Sequence, residues 1–142
     1  MNATSTLPVP TKTSTRAQTI KVLLVDDEAF QRDLITCVLE DLGVHQITHA
    51  ASGDQALQKL TAHHDFTLLL LDLHMPGMDG FQFMEALVKT HYAGALIIVS
   101  GQSDAVMHAA SLVAKIRRFN LLGCVPKPAG RAALSVLLEK MN

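Results

Sequence analysis

Two cysteines in 142 residues are too few for a zinc site on their own. Cys37 and Cys124 each sit in an apolar segment (ITCVLE and LLGCVPK), which reads as buried free thiols in a reducing compartment rather than a disulfide or a redox sensor. No apolar run approaches the roughly eighteen residues of a membrane helix. The N-terminus also lacks the charged-then-apolar order of a secretory signal. Basic residues are not in excess: twelve Lys and Arg stand against thirteen Asp and Glu, a net charge of −1, which argues against a nucleic-acid-binding domain. The expectation is a cytoplasmic protein with neither membrane nor nucleic acid as partner.

What is present is core material. Hydrophobic residues make up 49% and charged residues 18%, the balance of one globular domain. Residues 1–18 (MNATSTLPVPTKTSTRAQ) are rich in Thr, Ser and Pro and carry no apolar periodicity, so a flexible tail is expected there. The folded unit is then 19–142.

From Ile20 onward, short apolar runs alternate with helical patterns. Strands are expected at 20–25 (IKVLLV), 45–50, 67–71 (TLLLL), 95–99 (ALIIV) and 121–125. The third is apolar enough to be a central parallel strand covered on both faces. Between them, Phe30, Leu34, Val38 and Leu42 recur at helical spacing before Gly43, and Ser52, Gly53 and Asp54 open a second helix carrying Ala56, Leu57 and Leu60. A third helix is expected over 81–91. A fourth, capped by Asp104, carries Val106, Ala109, Ala110, Val113 and Ile116, and a last one runs over 129–140. This is an α/β chain, a doubly wound (βα)5 flavodoxin-like fold with a five-stranded parallel sheet of order 2-1-3-4-5.

In such sheets the functional site forms at the carboxyl ends of the strands. Those ends carry Asp26 and Asp27, then Asp72, Ser100 and Lys127, while the second strand ends in alanines. Each alone has a plain structural explanation: a helix cap, a Met-Pro-Gly turn, a lysine between prolines. Together they put three carboxylates, a hydroxyl and an ammonium on one edge. Crowded carboxylates repel unless a cation joins them, and an oxygen-only donor set suits Mg²⁺. A carboxylate nucleophile beside Mg²⁺ and a lysine is the arrangement that accepts a phosphoryl group.

Four motifs, VLLVDDE at 22–28, LLLDLHMPGMDG at 69–80, IIVSG at 97–101 and VPKP at 125–128, stand in order on the correct strand ends. By them the chain resembles the response-regulator receiver domain of two-component signalling, over about residues 20–141. The resemblance implies a phosphorylation-dependent switch rather than a metabolic enzyme. Asp72 would be the phospho-acceptor, Asp27 a direct Mg²⁺ ligand, Asp26 a ligand largely through water, and the His74 carbonyl a third protein ligand. Ser100 and Lys127 would bind phosphoryl oxygens, with Lys127-Pro128 in the cis form. The phosphoryl donor would be a sensor histidine kinase or a phosphotransfer protein, and His74 and Gln102 would tune the lifetime of the adduct.

Two departures matter. Cys124 stands where most members carry an aromatic residue three before the lysine, and a thiol cannot replace that rotating ring. The stretch from Ser100 to Lys127 is longer than in the chemotaxis regulator, which implies an extended fourth helix or a longer loop after it. Signalling through a displaced fourth helix or a homodimer contact is therefore expected. The long segment with GCVPKP also looks like receivers joined to EAL-type cyclic-di-GMP phosphodiesterase domains, which would make the chain one piece of a longer regulator with a covalently linked output domain.

Two other classes remain. An aspartyl-nucleophile phosphohydrolase usually has a second Asp two residues after the first, and position 74 is His. A flavodoxin-like nucleotide or flavin binder needs a Gly- or Ser/Thr-rich loop after the first strand, where this chain is acidic.

Overall fold

The computed structural model describes residues 17–141. The strands are β1 (Lys21–Val25), β2 (Gln46–Ala50), β3 (Leu68–Leu71), β4 (Ala95–Ser100) and β5 (Asn120–Pro126), alternating with helices α1 (Ala29–Asp41), α2 (Gly53–Ala62), α3 (Gly80–Val88), α4 (Asp104–Ile116) and α5 (Arg131–Leu138). All strand pairs are parallel, in the order β2-β1-β3-β4-β5, as the sequence pattern requires.

Alternate strand residues feed two cores. Leu23, Val25, Leu69, Leu71, Leu96 and Ile98 face α2, α3 and α4. Val22, Leu24, Leu68, Leu70, Ile97 and Val99 face α1 and α5. Covering on both faces explains why β1, β3 and β4 read as nearly unbroken apolar runs rather than as alternation. Ser52 caps α2 by accepting from the Gln55 amide, and Gly43 follows α1 with φ +91, the left-handed stop that glycine adopts without strain.

Several expectations need correction. On α1 the inward residues are Ile35 and Leu39, flanked by Val38 and Leu42. Phe30, expected on that stripe, is 69% exposed, and Leu34 is exposed too. Two ridges of apolar residues run side by side on this helix, and the sheet takes the one beginning at Ile35. On α4 the buried residues are Met107, Ala110 and Ala114, with Val106 and Val113 beside them. Ala109 and Ile116 face outward. Ser103, not Asp104, caps this helix, accepting from the Val106 amide. Cys37 lies exposed on the outer side of α1 rather than in the core, while Cys124 is half-buried.

The expected tail falls mostly outside the described residues, but Ala17 and Gln18 are helical and Ala17 is buried. The stretch between Ser100 and Lys127 is filled by the thirteen residues of α4 and the seven of β5. Only three residues join them, so no long loop follows the helix. A register shift lets Leu96 pair with Leu121 and Ile97 with Gly123, leaving Leu122 as the extra residue of a bulge. Among the described residues, no helix is long and apolar enough to cross a membrane.

Candidate functional site

The parallel ladders run one residue past the strands and place the site. The Asp26 amide donates to the Ala50 carbonyl (3.1 Å), the Asp72 amide to Val25 (3.0 Å), and the Lys127 amide to Ser100 (3.0 Å). Three strand ends are thereby held in register at the carboxyl edge. The order β2-β1-β3-β4-β5 makes β1 and β3 the central pair at the point where the winding reverses.

Asp26, Asp27 and Asp72 come together there, with one carboxylate oxygen from each within 4.8 Å of the others. Asp26 and Asp72 are buried (1% and 3% exposed), and Asp27 is more open to solvent. The Lys127 ammonium lies 2.7 Å from Asp26 Oδ2 and 3.5 Å from Asp72 Oδ2. It therefore sits between the two buried carboxylates. Ser100 is fully buried at the end of β4, where its hydroxyl accepts from the Gln102 amide at 3.0 Å. The His74 amide donates to Asp72 Oδ1 at 3.3 Å, while the His74 side chain points to solvent. Lys127-Pro128 is cis.

Three acids and one base do not balance. Burial, and then the charge of Asp26, push the Asp72 carboxyl up to about 6, against the pull of Lys127. For Lys127, burial works to lower the pKa, but the hydrogen bond to Asp26 and the charges of Asp72 and Asp26 outweigh it and raise it. The ammonium thus stays charged and leaves the cluster with net negative charge. An oxygen-only trio with surplus charge and one face toward solvent fits a divalent cation of the Mg²⁺ class.

Sequence reasoning missed several neighbours. Glu28 donates its amide to Asp26 Oδ1 at 2.9 Å and brings its own carboxylate 3.7 Å from Lys127. Arg32 donates to the Asp26 carbonyl at 2.6 Å and to His49 Nδ1 at 3.3 Å. Glu28 was legible as the third acid of the DDE run. Arg32 and His49 were not, since their partners lie on other elements.

The family model for the response regulator receiver domain matches residues 22–139, and the chain belongs to that family. Its general function is a phosphorylation-based signalling switch in two-component regulators. Among curated relatives, a probable chemotaxis protein CheY from Rhizobium etli is 41% identical over 93 residues, 62% of this chain and 69% of that protein. A protein-glutamate methylesterase/protein-glutamine glutaminase of Moorella thermoacetica is 32% identical over 78% of this chain. The cyclic di-GMP phosphodiesterase RocR of Pseudomonas aeruginosa is 28% identical over 87%. The matched stretches make up only 25% and 31% of those two larger proteins. The solved structure of Vibrio cholerae CheY4 has the same fold, with TM-score 0.72, 24% identity, and coverage of 88% of this chain and 100% of the other.

Proposed function

We propose that Asp72 is the residue phosphorylated in this domain, with Asp26, Asp27, Asp72 and the His74 carbonyl forming the Mg²⁺ site and Ser100 and Lys127 binding the phosphoryl oxygens. The observation that carries this reading is one lysine shared by two buried carboxylates inside a three-carboxylate cluster. When bound, the ion neutralises charge on the transferring oxygens. Lys127, held between Asp26 and Asp72, would bind one phosphoryl oxygen, and buried Ser100 would supply a hydroxyl to another. An Asp72 carboxylate oxygen attacks phosphorus, the P–N bond of a partner's phosphohistidine breaks, and the freed imidazole takes up a proton. The product is an acyl phosphate on Asp72. Donors of the right chemistry are a sensor histidine kinase or a phosphotransfer protein, in the cytoplasm.

His74 and Gln102 stand at the rim of the site and act on the lifetime of the adduct rather than on its formation. Cys124 is half-buried under α4, its thiol 3.9 Å from the Met107 carbonyl. No ring is there to rotate, so the signal leaves by displacement of α4 or a contact between two copies. Any output domain lies outside the matched region, and an EAL-type phosphodiesterase is one such partner.

The test is incubation with Mg²⁺ and acetyl phosphate, followed by intact-mass measurement of the parent and of Asp72→Asn. A single, slowly decaying phosphoryl adduct absent from the variant is expected. Rapid release of free phosphate without an adduct would replace the switch by a phosphohydrolase.

A further inference from the structure

We propose that Arg32 is a positioning residue for the acidic edge, fixed by His49 and Thr36 and acting through the main-chain carbonyl of Asp26. The proposal rests on the Mg²⁺ half of the reading above and is independent of which group is phosphorylated.

Arg32 and Thr36 stand four residues apart on α1 and so share a face. His49, on the neighbouring strand β2, lies between them. Arg32 Nε is 3.3 Å from His49 Nδ1, and His49 Nε2 is 3.0 Å from Thr36 Oγ1. A guanidinium only donates, so Nδ1 is the acceptor and Nε2 carries the ring proton toward the threonine hydroxyl. The imidazole therefore holds Arg32 in one orientation, and Arg32 Nη1 then donates to the Asp26 carbonyl at 2.6 Å.

That carbonyl belongs to the peptide unit joining Asp26 to Asp27. Fixing its oxygen fixes the peptide plane, and the plane places the Asp27 N and Cα from which that side chain starts. The rest of Asp26 is tied as well: its amide to Ala50, Oδ1 to the Glu28 amide, Oδ2 to the Lys127 ammonium. With Arg32 in place, the Asp26 carboxylate and the main chain that carries Asp27 are set before any cation arrives. Outer partners of this kind orient metal ligands and govern affinity.

Charge works against geometry here. As a cation, Arg32 repels Mg²⁺, so deleting it outright would mix two effects of opposite sign. Arg32→Lys keeps the charge and loses the planar fork that spans His49 and Asp26 together. His49→Ala leaves Arg32 in place but removes what orients it. Calorimetric titration with Mg²⁺ alone, at fixed pH and ionic strength, compares these two with the parent. Thermal unfolding in chelator is recorded for each.

Arg32→Lys is expected to weaken Mg²⁺ binding about tenfold, and His49→Ala to weaken it less but in the same direction, with both proteins folded. Unchanged or tighter Mg²⁺ binding by folded Arg32→Lys overturns the proposal. Should that variant not fold, parent-like binding by folded His49→Ala overturns it instead. If the parent bound Mg²⁺ but took no phosphoryl group on Asp72, the phospho-acceptor reading would fall while these titrations kept their meaning.

Discussion

Replacing Asp72 by Asn should make the metal-free protein more stable at neutral pH, although it removes a group central to the site. Asp72 is 3% exposed and its carboxyl ionises at about 6 instead of the ordinary 3.8. A folded-state pKa raised above its unfolded value contributes stability that is present below the unfolded value. That stability is lost as pH rises through the folded one. The displacement is about two pH units at about 1.36 kcal/mol each, so ionising Asp72 costs the native state about 3 kcal/mol above pH 7. The attraction of Lys127 is already contained in that figure, because it is one of the opposing causes of the net shift. Asn resembles the neutral acid and escapes the cost. For a domain of this size about 3 kcal/mol corresponds to roughly 10 °C in Tm. Urea or thermal unfolding of parent and variant from pH 3 to pH 8 in chelator should show curves that converge at the acid end. They should separate from about pH 4 to pH 6, between the unfolded and the folded value, and run parallel above pH 7 with the variant the more stable. Adding Mg²⁺ should then stabilise the parent more than the variant. A variant no more stable than the parent at pH 7.5 in chelator, with parallel pH curves, would refute the reasoning.

Other perturbations follow from the same geometry. Lys127→Met strips the ammonium from two buried carboxylates and should cost about 3–5 kcal/mol in urea unfolding without Mg²⁺; it should also slow adduct formation about a hundredfold or more. Gly80→Ala would set a Cβ 2.7 Å from the Leu73 Cα, a backbone atom two residues before the MPG turn, and should cost about 1–3 kcal/mol by thermal unfolding. Cys37 is exposed, and burial pushes the Cys124 thiol up. Alkylation at pH 8 followed by peptide mass mapping should therefore label Cys37 well ahead of Cys124; equal rates would contradict the burial of position 124.

The sheet was legible because both of its faces are covered. Four consecutive leucines at 68–71 admit no other strand environment, and the acids at 26, 27 and 72 follow directly from where such runs stop. Helix orientation was harder to read. On α1, Phe30 and Leu34 lie on a ridge spaced like the buried one through Ile35 and Leu39, and spacing alone cannot choose between parallel ridges. Cys37 was misplaced for a related reason, since an apolar neighbourhood in sequence is not one in space. The Arg32–His49–Thr36 chain joins a helix to a strand across seventeen positions and leaves no local pattern. Glu28 could be seen as a third acid, but its reach to Lys127 depends on how the turn after β1 folds back.

The central claim is that crowded carboxylates at the ends of β1 and β3 need a divalent ion, and that this need makes Asp72 a phosphoryl acceptor. Peptide-resolved mass measurement after acetyl phosphate treatment, with Mg²⁺ and with excess chelator, tests it most directly. One phosphoryl group on the peptide containing Asp72, formed only with Mg²⁺, is the predicted result. Labelling elsewhere, or labelling of Asp72 that ignores the chelator, would contradict it.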